Sequence, residues 1–264
     1  MKSPILVTGG TGTLGRLVVR RLREAGCEVR VLSRSSREAE EGIEYVTGDL
    51  ATGKGIEAAV DGVGTIMHLA GSAKGDEDKA RNLVRAASRG APGAQHLVYI
   101  SVVGADRIPV VSGVDRNMFG YFAAKRAAER IVEDSRLPWT ILRATQFHDL
   151  MLTVAQMLAK LPVVPLPAGF RVQPVEADEV AAQLVELTLG GPAGLVPDMG
   201  GPRVYGAAEL LRIYLRASKR RSRPIVPLWL PGKAARAFRN GANLAPEQAV
   251  GHRSWEEFLA DRVS

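Results

Sequence analysis

Tyr121-Phe-Ala-Ala-Lys125 sets a phenol and an ammonium four residues apart, and Ala128, Ile131 and Val132 continue the stretch at helical spacing. On a helix that spacing puts both side chains on one face. A nearby ammonium favours phenolate over phenol. A phenol so tuned can give a proton to a substrate oxygen or take one from an alcohol. Ser101, twenty residues earlier at a strand end, can hydrogen-bond the same oxygen. The helix carrying the pair is expected to open at Tyr121. From these residues alone two readings stay open: a proton-transfer site, or a tyrosine and a lysine packed on an ordinary helix.

Such a site needs elements to position it. Ile5-Leu6-Val7-Thr8 reads as a strand and runs into Gly9-Gly10-Thr11-Gly12-Thr13-Leu14-Gly15. A helix follows, with Leu14, Leu17, Val18 and Leu22 on one face. Strand, glycine turn and helix form the context of a dinucleotide fingerprint. One glycine allows an unusual turn, one lets backbone approach a pyrophosphate, and one lets helix pack on strand. The helix N-terminus offers free N–H groups to phosphates. The spacing is Gly9-x-x-Gly12-x-x-Gly15, without the Gly-Lys-Ser/Thr ending of a nucleotide-hydrolase loop. An ordinary glycine-rich turn is the alternative, and the strand-to-helix context argues against it. Thr11, Thr13 and Leu14 join the three glycines as expected cofactor contacts.

A second strand, Glu28–Ser33, ends in Ser33-Arg34-Ser35. Arg34 lies 19 residues past Gly15, where many NAD-binding folds carry an acid for the ribose hydroxyls. No Asp or Glu stands there. A guanidinium can instead pair with a 2′-phosphate through two parallel hydrogen bonds, so NADP(H) is expected in preference to NAD(H). The alternative is an exposed loop arginine. Further strands are expected at Ile43–Thr47, Gly64–Ala70, Gln95–Ser101 and Leu137–Arg143, with helices at Asp76–Arg89 and Glu176–Leu189. The acidic start Asp76-Glu77-Asp78 complements a helix dipole and need not bind metal. His68 reads as a satisfied core histidine.

Alternation of this kind implies an α/β, Rossmann-type, doubly wound parallel sheet. Ligands bind at the carboxyl ends of such strands, and Gly9, Arg34, Asp49, Gly71 and Ser101 all follow expected strand ends. Residues 1–150, with 172–200 returning to them, are expected to form the NAD(P)-binding domain. Residues 151–171 and 201–264 are expected to form a small substrate lobe. Gln146, Phe147 and His148 follow the sixth strand and are expected to wall the crevice. Gln173-Pro174-Val175 is expected near its nicotinamide end. Trp229, in the apolar run Val226–Pro231, either closes a pocket or packs the last helix. Phe147, Met151, Phe170 and Trp229 together suggest a hydrophobic or aromatic substrate.

Thr8-Gly-x-x-Gly-x-x-Gly15 with Ser101 and Tyr121-x-x-x-Lys125 resembles the atypical short-chain dehydrogenase/reductases. Tyr99–Gly104, Ala144–His148, Val172–Val175, Gly200-Gly201-Pro202 and Ser254–Leu259 look like the NmrA-like branch, a resemblance running from about residue 4 to about residue 260. It implies that Asp49 and Leu50 lie near the adenine and that Leu69-Ala70-Gly71 turns over the cofactor. It implies further that Lys125 holds the ribose, Tyr121 supplies a proton and Ser101 orients the substrate. The implied activity is NADPH-dependent reduction of a carbonyl or a related polarised double bond. Some members of that branch lack the tyrosine and act as NADP-binding regulators. A non-catalytic regulator and a cofactor-retaining epimerase or dehydratase are the alternatives.

The chain has 264 residues, is 46% hydrophobic and carries a net charge of +7. Its single cysteine, Cys27, permits no internal disulfide, which fits a cytoplasmic protein. No apolar run approaches the ~20 residues that cross a bilayer, so no membrane partner is expected. With the first strand starting near Met1, no signal peptide is expected before the fold. The run Arg216-Ala-Ser-Lys219-Arg220-Arg221-Ser-Arg223 can be a nucleic-acid patch or a solvated helix end. No aromatic residue interleaves it, so the helix end is the expected reading and no nucleic-acid partner is implied. His68, His96, His148 and His252 are scattered, so no metal site is expected. A small-molecule substrate is implied, and monomer and dimer both stay open.

Overall fold

The computed structural model describes residues 3–38, 40–72, 75–90 and 96–263. Gln95, which bounds one of the expected strands, lies outside them. In chain order the elements are β1 (Ile5–Thr8), α1 (Thr13–Glu24), β2 (Val29–Ser33), β3 (Ile43–Thr47), α2 (Ile56–Val60), β4 (Thr65–His68), α3 (Asp76–Gly90), β5 (His96–Val102), α4 (Gly113–Glu133) and β6 (Trp139–Ala144). Then follow α5 (His148–Leu158), β7 (Val164–Pro167), β8 (Arg171–Val172), α6 (Ala177–Gly190), β9 (Gly194–Leu195), β10 (Tyr205–Gly206) and α7 (Ala207–Ala217). The chain ends with β11 (Ile225–Leu228), α8 (Lys233–Arg239) and α9 (Trp255–Arg262).

Seven strands form one parallel sheet in the order β3-β2-β1-β4-β5-β6-β9. This is the expected Rossmann-type α/β architecture. The order reverses between β1 and β4, the topological switch point at which such sheets bind ligands. β1 and β5 are buried along their whole length. That explains their continuous apolar runs, because a strand covered by helices on both faces has no solvent side to alternate with.

The chain divides into two compact units. The first comprises Met1–Ser101, Ala123–Leu142 and Asp178–Val196. Its core joins Leu6, Ile66, Leu97, Tyr99 and Ile141 to Leu83, Ala87, Ala128 and Val132 from the helices. In α1 the buried face is Leu14, Gly15, Val18, Val19 and Leu22, with Leu17 half-buried at its border. The second unit comprises Val102–Phe122, Arg143–Ala177 and Pro197–Ser264. One of its cores gathers Tyr205, Tyr214, Trp255 and Phe258. Another gathers Phe119, Phe122, Ala234 and Ala235, with Phe170 and Phe238 against them.

One expectation needs correction. The helix bearing Tyr121 opens at Gly113, so Tyr121 lies in mid-helix. The start is fixed by a reciprocal cap: the Asp115 backbone N–H donates to Ser112 Oγ (3.0 Å) and the Ser112 N–H donates to Asp115 Oδ2 (3.1 Å). This is a Ser-x-x-Asp capping box.

Glycine geometry yields two predictions of opposite sign. A Cβ on Gly15 would stand 2.0 Å from the Gly9 carbonyl oxygen, which is backbone and cannot step aside. Gly15→Ala should therefore lower stability by about 3 kcal/mol or more. A Cβ on Gly120, inside α4, meets nothing within 4 Å. Gly120→Ala should raise stability by about 0.5–1 kcal/mol, the helix-propensity gain. Urea melts of the two variants beside wild type check both signs.

Candidate active site

Within the first unit, a cavity of about 420 Å³ opens at the carboxyl ends of β1, β2 and β4. Ten of the residues expected to hold a cofactor line it: Gly9, Thr11, Gly12, Ser33, Arg34, Asp49, Leu50, Leu69, Ala70 and Gly71. Gly9 has φ +73°, and a Cβ there would lie 2.7 Å from the Ala70 nitrogen, so only glycine fits. The Gly12 N–H donates to the Gly9 carbonyl (3.0 Å) and closes the turn. Thr13, Leu14 and Gly15 open α1 outside the cavity lining, with Leu14 and Gly15 buried. The cap residue Gly12 supplies no side-chain hydrogen bond to this helix start, so the first-turn amides are available to an anionic ligand.

Among the described residues two cations reach the cavity, Arg34 and Lys79. Arg34 is exposed. The neighbouring Ser33 Oγ donates to the Ser35 carbonyl (2.8 Å) and holds the end of β2 in shape. Asp49 Oδ1 accepts from the Ala51 N–H (3.0 Å), which fixes the loop at the end of β3. A glycine turn, a helix start and two cations fit the phosphates of a dinucleotide.

Lys125 belongs to the same unit and is buried. Its Nζ lies 3.2 Å from Asp76 Oδ2 and donates to the Ile100 carbonyl (3.2 Å) and to Tyr99 Oη (3.3 Å). Burial pulls the Lys125 pKa down, against the upward pull of Asp76. A Cβ on Gly71 would stand 3.2 Å from Nζ, so the ammonium lies directly beside the turn after β4. Asp76 Oδ1 accepts from the Ser72 N–H (2.7 Å) and from Lys79 Nζ (3.4 Å). One carboxylate thus joins that turn to both lysines.

His68 is buried, shares a 2.8 Å hydrogen bond with Thr8 Oγ1 through Nδ1, and stacks on Tyr99 at 5.3 Å. Burial, reinforced by the Lys125 charge, lowers its pKa to about 3, so it stays neutral. Ser101 is buried at the end of β5, and its Oγ has no hydrogen-bond partner among the described residues. Tyr121, in the second unit, is 38% exposed and meets the Phe122 ring edge-on at 5.8 Å. It stands four residues before Lys125 on the continuous α4.

The residues expected to wall a substrate crevice are dispersed within the second unit. Gln146 is half-buried and its Oε1 accepts from the Gln173 N–H (3.2 Å). Phe147 is half-buried and caps α5. Gln173 is buried and serves packing: its Nε2 donates to the Gly201 (2.8 Å) and Ala245 (3.2 Å) carbonyls. His148 corrects the expectation of a pocket wall, because it has no accessible surface. Its ring stacks on Phe258 (4.9 Å) and Trp255 (5.9 Å) as part of the aromatic core. Phe170 likewise stacks on Phe238 (4.6 Å). Trp229 is 71% exposed, with the Arg239 guanidinium 4.0 Å from its ring centre.

The residues missed from the sequence are Asp76 and Lys79. The run Asp76-Glu77-Asp78 has the composition of an ordinary helix start, and only the fold shows that its first carboxylate is buried against Lys125. A serine four residues before an acid that opens a helix was the one available signal.

Two predictions follow from these environments. Asp76→Asn removes the carboxylate beside a buried ammonium and should cost on the order of 3 kcal/mol at neutral pH, measured by urea unfolding. Burial lowers the His148 pKa from 6.5 to about 4. The unfolded chain therefore takes up a proton at His148 before the folded one does, and stability falls as pH drops from about 6.5 towards 4. His148→Phe should flatten that acid limb by up to about 3 kcal/mol, and a pH series of melts reads the difference.

Comparison with known proteins agrees with this geometry. The family described as NAD(P)H-binding matches residues 9–188. A (4-alkanoyl-5-oxo-2,5-dihydrofuran-3-yl)methyl phosphate reductase of Streptomyces griseus is 30% identical over 210 residues, covering 78% of this chain and 70% of that protein. The photosystem II assembly factor Ycf39 of Synechocystis is 26% identical over 246 residues, covering 83% of this chain and 69% of that one. Among solved structures, the NADPH-dependent quinone oxidoreductase of Escherichia coli complexed with NADPH superposes with a TM-score of 0.80 at 18% identity, over 98% of this chain and 99% of that one. That likeness is one of fold. With the fingerprint turn, the cavity and the matched residues in agreement, the chain belongs to the NAD(P)H-binding family of Rossmann-fold proteins.

Proposed function

We propose that the protein is an NADPH-dependent oxidoreductase of the short-chain dehydrogenase/reductase type, in its NmrA-like branch. It reduces a carbonyl or polarised double bond of a small hydrophobic substrate in the cytoplasm. The observation that carries the cofactor choice is the pair of cations, Arg34 and Lys79, on a cavity formed by the glycine turn. Arg34 recognises the 2′-phosphate by its planar pair of donors. The first-turn amides of α1 receive the pyrophosphate. A nicotinamide cofactor supplies a hydride when bound.

The remaining roles fall to the chain's own side chains. Tyr121 gives a proton to the substrate oxygen, and Ser101 Oγ orients that oxygen. Lys125, held by Asp76, contributes positive charge and a ribose contact. The substrate lobe is assigned to residues 151–171 and 201–264. The named reductase relative supports this reading. The likeness to an assembly factor favours a second one, a cofactor-holding protein without turnover.

Paired calorimetric titrations test the cofactor assignment. Wild type should bind NADPH at least about tenfold more tightly than NADH, and Arg34→Ala should erase that preference. Equal affinities in wild type would refute the role of Arg34. Tyr121→Phe should lower kcat by about a hundredfold or more while leaving NADPH affinity intact. Tight NADPH binding with no oxidation across a panel of quinones, aldehydes and enones would instead support the second reading.

A further inference from the structure

In the second unit β7 and β11 pair in parallel, with Val226 beside Pro165 and Leu228 beside Pro167. Paired residues share a face, and faces alternate along each strand. One face of this ribbon is core: Val164 and Leu166 are buried and Ile225 packs with them against Tyr205, Tyr214 and Phe258. The other face ought to be polar. It consists of Val163, Pro165, Pro224, Val226 and Leu228, all exposed, with Pro167 half-buried at its end. Val163, Val226 and Leu228 are 44–47% exposed, and the next residue, Trp229, is 71% exposed. A contiguous outward apolar face of this kind marks a contact surface.

The charge around that face is one-sided. Parallel pairing brings the two entering loops together, and the Val164 N–H donates to the Pro224 carbonyl (2.9 Å) at that end. One loop carries Lys160 and the other Lys219, Arg220, Arg221 and Arg223. No carboxylate occurs between Leu150 and Val175 or between Leu210 and Pro246, the two stretches that build the ribbon. Those stretches hold 11 of the 35 Lys and Arg residues, leaving 24 against 28 carboxylates elsewhere, so the basic character of the chain resides in them. Arg239 adds a cation over the Trp229 ring.

We propose that the β7–β11 ribbon docks the protein on an anionic membrane surface. The basic loops meet the headgroups, while Val163, Val226, Leu228 and Trp229 enter the interface between headgroup and acyl chain. Among the described residues no helix is long and apolar enough to cross a membrane, so the contact is peripheral. A duplex would use the cations and leave the apolar face in water. A lipid interface uses both, and a tryptophan beside arginines suits it.

Vesicle flotation of the full chain tests this. The protein should float with phosphatidylcholine vesicles containing roughly one-third phosphatidylglycerol, at least tenfold more than with phosphatidylcholine alone. Salt raised to about 1 M should release it. Arg220→Glu with Arg221→Glu, and separately Val226→Ser with Leu228→Ser, should each weaken partitioning roughly tenfold. All these positions are exposed, so melting temperature and NADPH affinity should not change, which separates this claim from the cofactor reading. Failure to float would overturn the proposal. So would undiminished floating of the Val226→Ser/Leu228→Ser variant, tighter binding to duplex DNA than to vesicles, or a dimer abolished by the same serine changes.

Discussion

At Gly9 two backbones meet with no room for a side chain between them. The turn after β1 lies against Leu69 and Ala70, the turn after β4, so closely that even a methyl group would overlap the Ala70 nitrogen. Gly15 repeats the constraint one helical turn on, where α1 packs onto the same loop. These contacts bring the carboxyl ends of β1 and β4 together at the reversal of strand order and point the start of α1 into the gap. The cavity, its amides and its two cations inherit their positions from that approach. A larger side chain at either glycine would change the direction of α1, and with it the aim of its first-turn amides.

The second organising element is a buried carboxylate. Burying Lys125 alone would be expensive, since an ammonium taken out of water loses its hydration. Asp76 offsets that cost and at the same time accepts from the Ser72 N–H and from Lys79. The turn following β4, the cation on the cavity and the lysine of α4 are therefore mechanically one unit. Tyr99 completes it, receiving the Lys125 ammonium over its ring at 4.9 Å and stacking on His68. A change at Asp76, Lys125, Tyr99 or His68 propagates to the others, because these four are buried against one another.

Much of the first unit was legible in the sequence because its signals are local. Continuous aliphatic runs mark strands covered on both faces, and a glycine turn between strand and helix has few other uses. Arg34 and Asp49 stand just past β2 and β3 and line the cavity, positions that counting to strand ends reaches. Four features were not legible. The start of α4 lies upstream of the expected Tyr121 because the Ser112–Asp115 capping box, which fixes it, stands outside the apolar-periodic stretch that marks the helix. His148, expected on the crevice wall, and Phe170, expected to mark a hydrophobic substrate, belong to aromatic clusters with Trp255, Phe258 and Phe238, about 70 to 110 residues away in sequence. Asp76 was hidden because a helix-opening acid looks the same whether it faces water or a buried lysine. The β7–β11 ribbon escaped for a similar reason: proline-punctuated apolar segments give no clear period, and their pairing is non-local.

Amide hydrogen exchange with and without NADPH tests most directly the claim that the cofactor sits in the first unit on the glycine turn. Saturating NADPH should slow exchange at Gly12 through Gly15, at Arg34 and at Gly71–Ser72, with NADH giving weaker protection at Arg34. Protection confined to other segments, or no protection anywhere, would contradict it and leave the turn as a packing device alone.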